Sequence, residues 1–595
     1  MSVSLLKARL SAGFLLCAAL SGVGHAQEPS PSLKEADADY RAGVAALSRH
    51  DLNAALSDFQ KVVRLAPTAE QGHSALGAVL VQLGRTGEGI RELEKALSMM
   101  PGDSTAQLNL ALAYERSGET SKALPWFGKL EATSRADKRP LPPYVLASYA
   151  RALAATKQYP AAVAKMKDAV AGDPQNAELH DELGSLYAQR EDWSHAREAF
   201  TAAIQANPDL AMAHLHLAMT LDAEHQPSDS EASTALDELA KAYQLAPQNS
   251  VIALQYGQSL AATDMDEHAI PILQHALELD PSSAPAAYQL GLALQRTDKL
   301  KDAIPLLQRA ATAEPKNTEI LTNLGMALCQ AQQAKDAVPI LQRAVALAPD
   351  NVTAHQNLAA AYIQLSQFDD AVIQLNAALK LSPNAPQLHY NLGLALKMKD
   401  DAADAIPELE TAEKLDPTAP EPPYVLGVLY MQAGRYTDAA RELNISLKLR
   451  PENGDGWATL GSVDNKLDKL PEAAAALKEA VRQLPQQPDP HLTLAAVLAK
   501  ENQPAEAAAE RKTAAGLMRT NMNRQRAEVA TNSGNSLLKS GKIDDAIAQF
   551  REALSYDANY AEAHSGLAKA LEQQGRGTEA AAERQKAAAL EKASQ

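Results

Sequence analysis

From Ala284 to Pro417 the chain repeats itself every 34 residues, four times over. Each block closes on a proline: Pro315, Pro349, Pro383 and Pro417. Small residues recur at fixed offsets inside the blocks: Gly291, Ala303, Ala310; Gly325, Ala337, Ala344; Ala359, Ala371, Ala378; Gly393, Ala405, Ala412. A leucine precedes the first of each set, at Leu290, Leu324, Leu358 and Leu392. A fixed period of roughly 20–50 residues marks a stacked array of small units rather than a domain with one core.

Each block is two helices. Asn317–Ala331 and Lys335–Pro349 both place apolar residues at helical spacing. Leu324 and Leu341 are the large members, and Gly325, Ala337 and Ala344 let two helix axes approach to the short end of the usual 8–10 Å. The closing proline cannot continue a helix. One such hairpin leaves an apolar face open, so the next must cover it.

This arrangement of small residues, leucine and closing proline resembles the tetratricopeptide repeat. The resemblance covers nearly all of the chain beyond its first residues. It implies an all-α fold, a right-handed superhelical solenoid of about sixteen helix-turn-helix repeats. It also implies a role in protein–protein interaction. Gly184, Tyr187, Ala196, Phe200 and Ala203 form one of the fuller matches.

Residues 1–26 read as a signal peptide: Lys7 and Arg9, a short apolar run from Ala12 to Val23, then Gly24-His25-Ala26 ahead of a cut before Gln27. The expectation is export through the Sec pathway to a periplasmic or secreted location, with no transmembrane span after cleavage. Cleavage leaves Cys329 as the single cysteine, so no internal disulfide forms. The formal charge is −17, and loss of Lys7 and Arg9 takes it to −19. Such a surface repels phosphate backbones, so nucleic acid is not the expected partner.

Residues 27–35 read as a polar linker and 36–517 as the main array. Insertions lengthen two blocks, at Ser134–Pro143 and at His225–Ser230. The run EAAAER occurs twice, at Glu506–Arg511 and Glu579–Arg584, and places arginine where other repeats hold a large apolar residue. Polar outer faces belong to terminal repeats. Residues 518–526 are therefore expected to be a connector, with Arg519, Arg524 and Arg526, followed by a terminal repeat pair at 527–595. The alternative is an unbroken solenoid with a long helix at the junction.

No catalytic, cofactor or metal motif stands out. His73, His180, His214, His355, His389, His491 and His564 all occupy the fourth place of their repeats, which Trp457 takes in another, so packing explains them better than metal binding. His214 and His216 lie on different sides of a helix. Prolines Pro271, Pro305, Pro339 and Pro407 sit early in second helices, where most lost hydrogen bonds would have been unmade anyway.

The resemblance puts the sixth residue of each repeat on the inner, concave face. Here Gln255, Gln289, Asn323, Asn357 and Asn391 hold that place in five successive blocks, with Asn109 and Asn532 elsewhere. A side-chain amide both donates and accepts, and so pairs with a peptide group. Helices about 10 Å apart would present one amide to every third residue of an extended chain rising about 3.3 Å per residue. Members of the family that bind extended peptides use an asparagine ladder in this way. The expected function is an exported scaffold holding an extended polypeptide segment of a partner, and not an enzyme. The alternative is a structural part of an envelope secretion or polysaccharide-export assembly. Tyr288, Tyr390 and Tyr424 give only a sparse aromatic row for a glycan.

Overall fold

The computed structural model describes residues 31–223 and 229–594. The proposed signal peptide and residues 225–228 of the expected insertion His225–Ser230 lie outside them, and its last two residues begin the helix Asp229–Leu245. Among the described residues there are 31 helices and no strand. The contacts of the chain divide into two compact units, the first ending at Ala310 and the second starting at Ala311. Within each unit helices pair in sequence and each pair packs on the next, and the fold is an all-α solenoid. The first helix begins at Pro31, so residues 31–35, expected as linker, are helical.

In the repeat made of helices Thr318–Gln330 and Ala334–Leu347, the expected small and large residues meet. Leu324, Gly325, Ala337, Leu341 and Ala344 are all buried. A Cβ on Gly325 would lie 2.3 Å from Leu341 Cγ, which no side chain tolerates without displacing its neighbour. In the second repeat two backbones meet directly. There a Cβ on Gly89 would lie 2.7 Å from the carbonyl oxygen of Gly77.

The turn inside each hairpin depends on one left-handed residue. It lies seven places after the first small residue of each repeat, for example Lys157 (φ 62°), Gln332 (φ 58°) and Gly434 (φ 74°). The same place is left-handed in every repeat whose turn is described. Glycine takes it in only five of them. The following first helices often start on a capping side chain; Asn317 Oδ1 accepts from the backbone N–H groups of Glu319 and Ile320.

The histidines of the fourth place join each repeat to the one before it. His389 Nε2–H donates to the carbonyl oxygen of Pro383 at 2.9 Å, while Nδ1 meets Glu408 Oε2 at 2.6 Å. His73, His214 and His355 make the same bond to Pro67, Pro208 and Pro349. Gln107 and Trp457 make it to Pro101 and Pro451. The place selects a long side chain with an N–H at its tip, which is why histidine dominates it. His491 departs from the pattern: its buried Nε2 has no partner.

Two expectations change in detail. Pro339 is the sixth residue of its helix, past the free N–H groups of the first turn. Its ring therefore removes a bond the helix would have made, as do Pro271, Pro305 and Pro407 at the same place. The insertion after Ser134 is only partly turn. It also extends the preceding helix to Thr120–Ala136, three residues longer than the common 14.

Residues 518–526, expected as a connector, are the middle of one 36-residue helix, Pro504–Lys539. No proline interrupts it after Pro504, and Leu517, Met518, Arg519, Met522, Arg524, Gln525 and Arg526 are good helix formers. Its first half packs on Pro488–Lys500 and its second half on Ile543–Tyr556. The helix thus serves two repeats, bringing the total to sixteen.

Candidate functional site: the inner strip of the first helices

The five predicted amides fall in both units. Gln255 and Gln289 lie on Ser250–Ala262 and Ala284–Arg296 of the first unit. Asn323, Asn357 and Asn391 lie on Thr318–Gln330, Val352–Gln364 and Pro386–Met398 of the second. All five are half-buried. Of the outlying members, Asn109 is buried and Asn532 exposed.

Within the second unit, the amides already engage neighbouring polar groups. Asn357 Nδ2 reaches the carbonyl oxygen of Thr322 at 3.5 Å, a long contact that a better acceptor displaces cheaply. Gln387 Nε2 donates to Asn391 Oδ1 at 3.0 Å. Along the seam, Gln364 Nε2 donates to the carbonyl oxygen of Cys329 at 3.0 Å, fixing successive first helices together. Cys329 itself is buried, and burial pushes its thiol up to about 11. It is a packing side chain, not a nucleophile.

In the first unit, the same strip carries charge that the sequence reading missed. A pocket of about 390 Å³ opens there, lined by Leu112, Tyr144, Leu179 and a charged cluster. Arg151 is its centre. Its Nε donates to Glu115 Oε1 at 3.1 Å, Nη1 to Glu182 Oε2 at 2.9 Å and Nη2 to Ser148 Oγ at 2.8 Å. Ser148 and Glu182 occupy the sixth place of their repeats, where the amides stand elsewhere. Desolvation raises the Glu182 carboxyl above its ordinary value, and the Arg151 charge opposes that shift. The partners are 31 and 36 residues from Arg151, one repeat to either side, so only the 34-residue period could have pointed to them.

The histidines do not converge. His214 faces Pro208 and Glu238, whereas His216 Nδ1 meets Asp181 Oδ1 at 2.8 Å. Among the described residues no group of three or more possible metal ligands comes together. No helix there is long and apolar enough to cross a membrane.

Three family models match the chain. Two are described as tetratricopeptide repeat, over residues 27–172 and over 288–352 and 424–488. The third is described as TPR repeat, over 361–400 and 534–575. Comparison with curated proteins gives no match. Among solved structures the chain is similar to YrrB, titled a TPR protein with an unusual peptide-binding site. That match has 25% identity over 33% of this chain and 97% of the other, with a TM-score of 0.29. It is similar to MamA from Desulfovibrio magneticus RS-1, at 22% identity over 28% of this chain and 96% of the other, TM-score 0.27. It is also similar to the APC/C hetero-tetramer Cut9–Hcn1, at 16% identity over 90% and 96%, TM-score 0.33.

Proposed function

This chain belongs to the tetratricopeptide repeat family, a protein-interaction fold, and we propose that it binds an extended polypeptide segment along the inner strip of its first helices. The observation that carries the reading is the run of half-buried amides at one place in successive repeats, above all Asn323, Asn357 and Asn391. Asn357 can exchange its long contact to Thr322 for a peptide C=O, and a side-chain amide can pair with either a peptide N–H or a C=O. The N-terminal sequence supports export, so the scaffold works in the periplasm or outside the cell. The excess of acidic residues argues for a protein partner over nucleic acid, and the absence of a legible catalytic motif in the sequence for binding without turnover.

The test uses peptides selected from a random display library on the full chain. Replacing Asn323, Asn357 and Asn391 together by alanine leaves good helix formers in their helices. Each lost amide pairing is worth about 0.5–1.5 kcal/mol. The selected peptides should then bind the triple variant about tenfold to about two-thousand-fold more weakly. The loss should change little with ionic strength, because the pairings are neutral. Unchanged affinity with an intact helical spectrum would reject the strip as the binding site.

A further inference from the structure

The middle of the long helix Pro504–Lys539 is open over most of its surface, with Arg524 and Arg526 lying over the rings of Tyr560 and Tyr556 at its C-terminal edge. No residue from 515 to 526 is buried. The two halves bury opposite faces. In the first half Ala507 packs with Leu494 and Leu498, and Ala514 is buried one heptad later. In the second half Ala527 and Ala530 pack with Ala553 and Ala563, on the other side of the helix.

The stripe of Ala507 and Ala514 does not stop where its covering helix stops. It runs on as Met518, Met522 and Val529, which lie within about 40° of one another around the axis. They are 44%, 46% and 65% exposed. Beside this stripe stand Lys512, Arg519 and Arg526 at heptad spacing, all exposed. From Arg511 to Ala527 there are five cations and no acid, on a chain whose total charge is −17. An apolar line flanked by one row of cations, on a helix whose two halves bury opposite faces, has the make-up of a helix-docking surface.

We propose that this open segment is a second interaction site, which takes an acidic amphipathic helix of a partner protein along Met518, Met522 and Val529. Charge fixes the choice of occupant. A second copy laid antiparallel on the same stripe would set Lys512, Arg519 and Arg526 against their own counterparts, whereas an acidic flank would pair with all three. Methionine suits such a surface because its unbranched side chain adapts to the shape it meets. The site does not rest on the amide strip, and either can fail without the other.

The experiment uses the full chain and a fluorescein-labelled synthetic helix of roughly 20 residues, about 30 Å long, with leucine on one face and glutamate on the other. The expected result is binding, read by fluorescence anisotropy, that weakens about tenfold or more in Arg519→Glu/Arg526→Glu and falls with salt. The same weakening is expected in Met518→Ser/Met522→Ser, with unchanged circular dichroism. The lysine-for-glutamate counterpart of the probe should bind the charge-reversed variant better than the wild type. No binding of the acidic helix, or equal binding by the variants, would overturn the proposal. So would binding of phosphatidylglycerol vesicles in place of the peptide, or self-association abolished by the same substitutions.

Discussion

A single N–H at the tip of the fourth-place side chain is what ties one repeat to the closing proline of the last. Gln107 makes this bond as well as histidine does, so His389→Gln should keep the bond to Pro383 and lose little. His389→Leu fills the same space but leaves the carbonyl unmatched, and should cost about 1–3 kcal/mol. Denaturant melts of the two variants separate the outcomes; equal losses would mean that the ring, not its N–H, matters. At the hairpin turn, Gln332 holds φ 58°, a conformation that costs an ordinary residue roughly 1–2 kcal/mol. Gln332→Gly should therefore stabilise its repeat, read as slower local hydrogen exchange, and faster exchange there would refute the strain. Glu70 offers a pH handle. Burial first, then its hydrogen bond with Asp103, pushes its carboxyl up to about 8. A carboxyl raised above its unfolded value contributes stability that is fully present below about pH 4 and is lost as the pH rises through about 8. The first three repeats should accordingly loosen toward alkaline pH, and Glu70→Gln should flatten that dependence. A variant with the wild-type pH profile would place the effect elsewhere; Glu413, pushed up to about 7 by burial beside Glu442, is the corresponding group in the second unit.

At the scale of the hairpin, a large residue at the close approach has nowhere to go. Gly325→Leu should overpack the contact with Leu341 by roughly 1–3 kcal/mol. Because neighbour contacts hold an array together, hydrogen-exchange protection should fall first around residues 318–347 and last at the C-terminal repeats. Uniform loss across the second unit would show one cooperative domain instead. The hairpins were legible in the sequence because their small and large residues recur in register. The left-handed turn residue was not, since backbone geometry and not side-chain type defines it, and His50, Lys157 and Gln332 share no chemistry. The long helix was legible only as an alternative. Arg511 and Arg584 signal polar outer faces correctly, both being exposed, but a polar face does not say whether the backbone breaks after it.

For the molecule as a whole, the 34-residue period placed the sixth-place amides on successive first helices, because in a solenoid the same offset returns to the same place. The amide strip followed from that rule alone. The Arg151 cluster did not stand out, since serine, arginine and glutamate at that offset look like ordinary surface residues until Glu115 and Glu182 close on Arg151 from the repeats on either side. The proposed partner lies along the first helices of the second unit and touches the amides. Hydrogen–deuterium exchange of the full chain, with and without a library-selected peptide, tests it most directly. New protection is expected in 318–330, 352–364 and 386–398, and none in the second helices between them, with the protection absent from the triple alanine variant. Protection confined to the second helices, or retained in the variant, would contradict it.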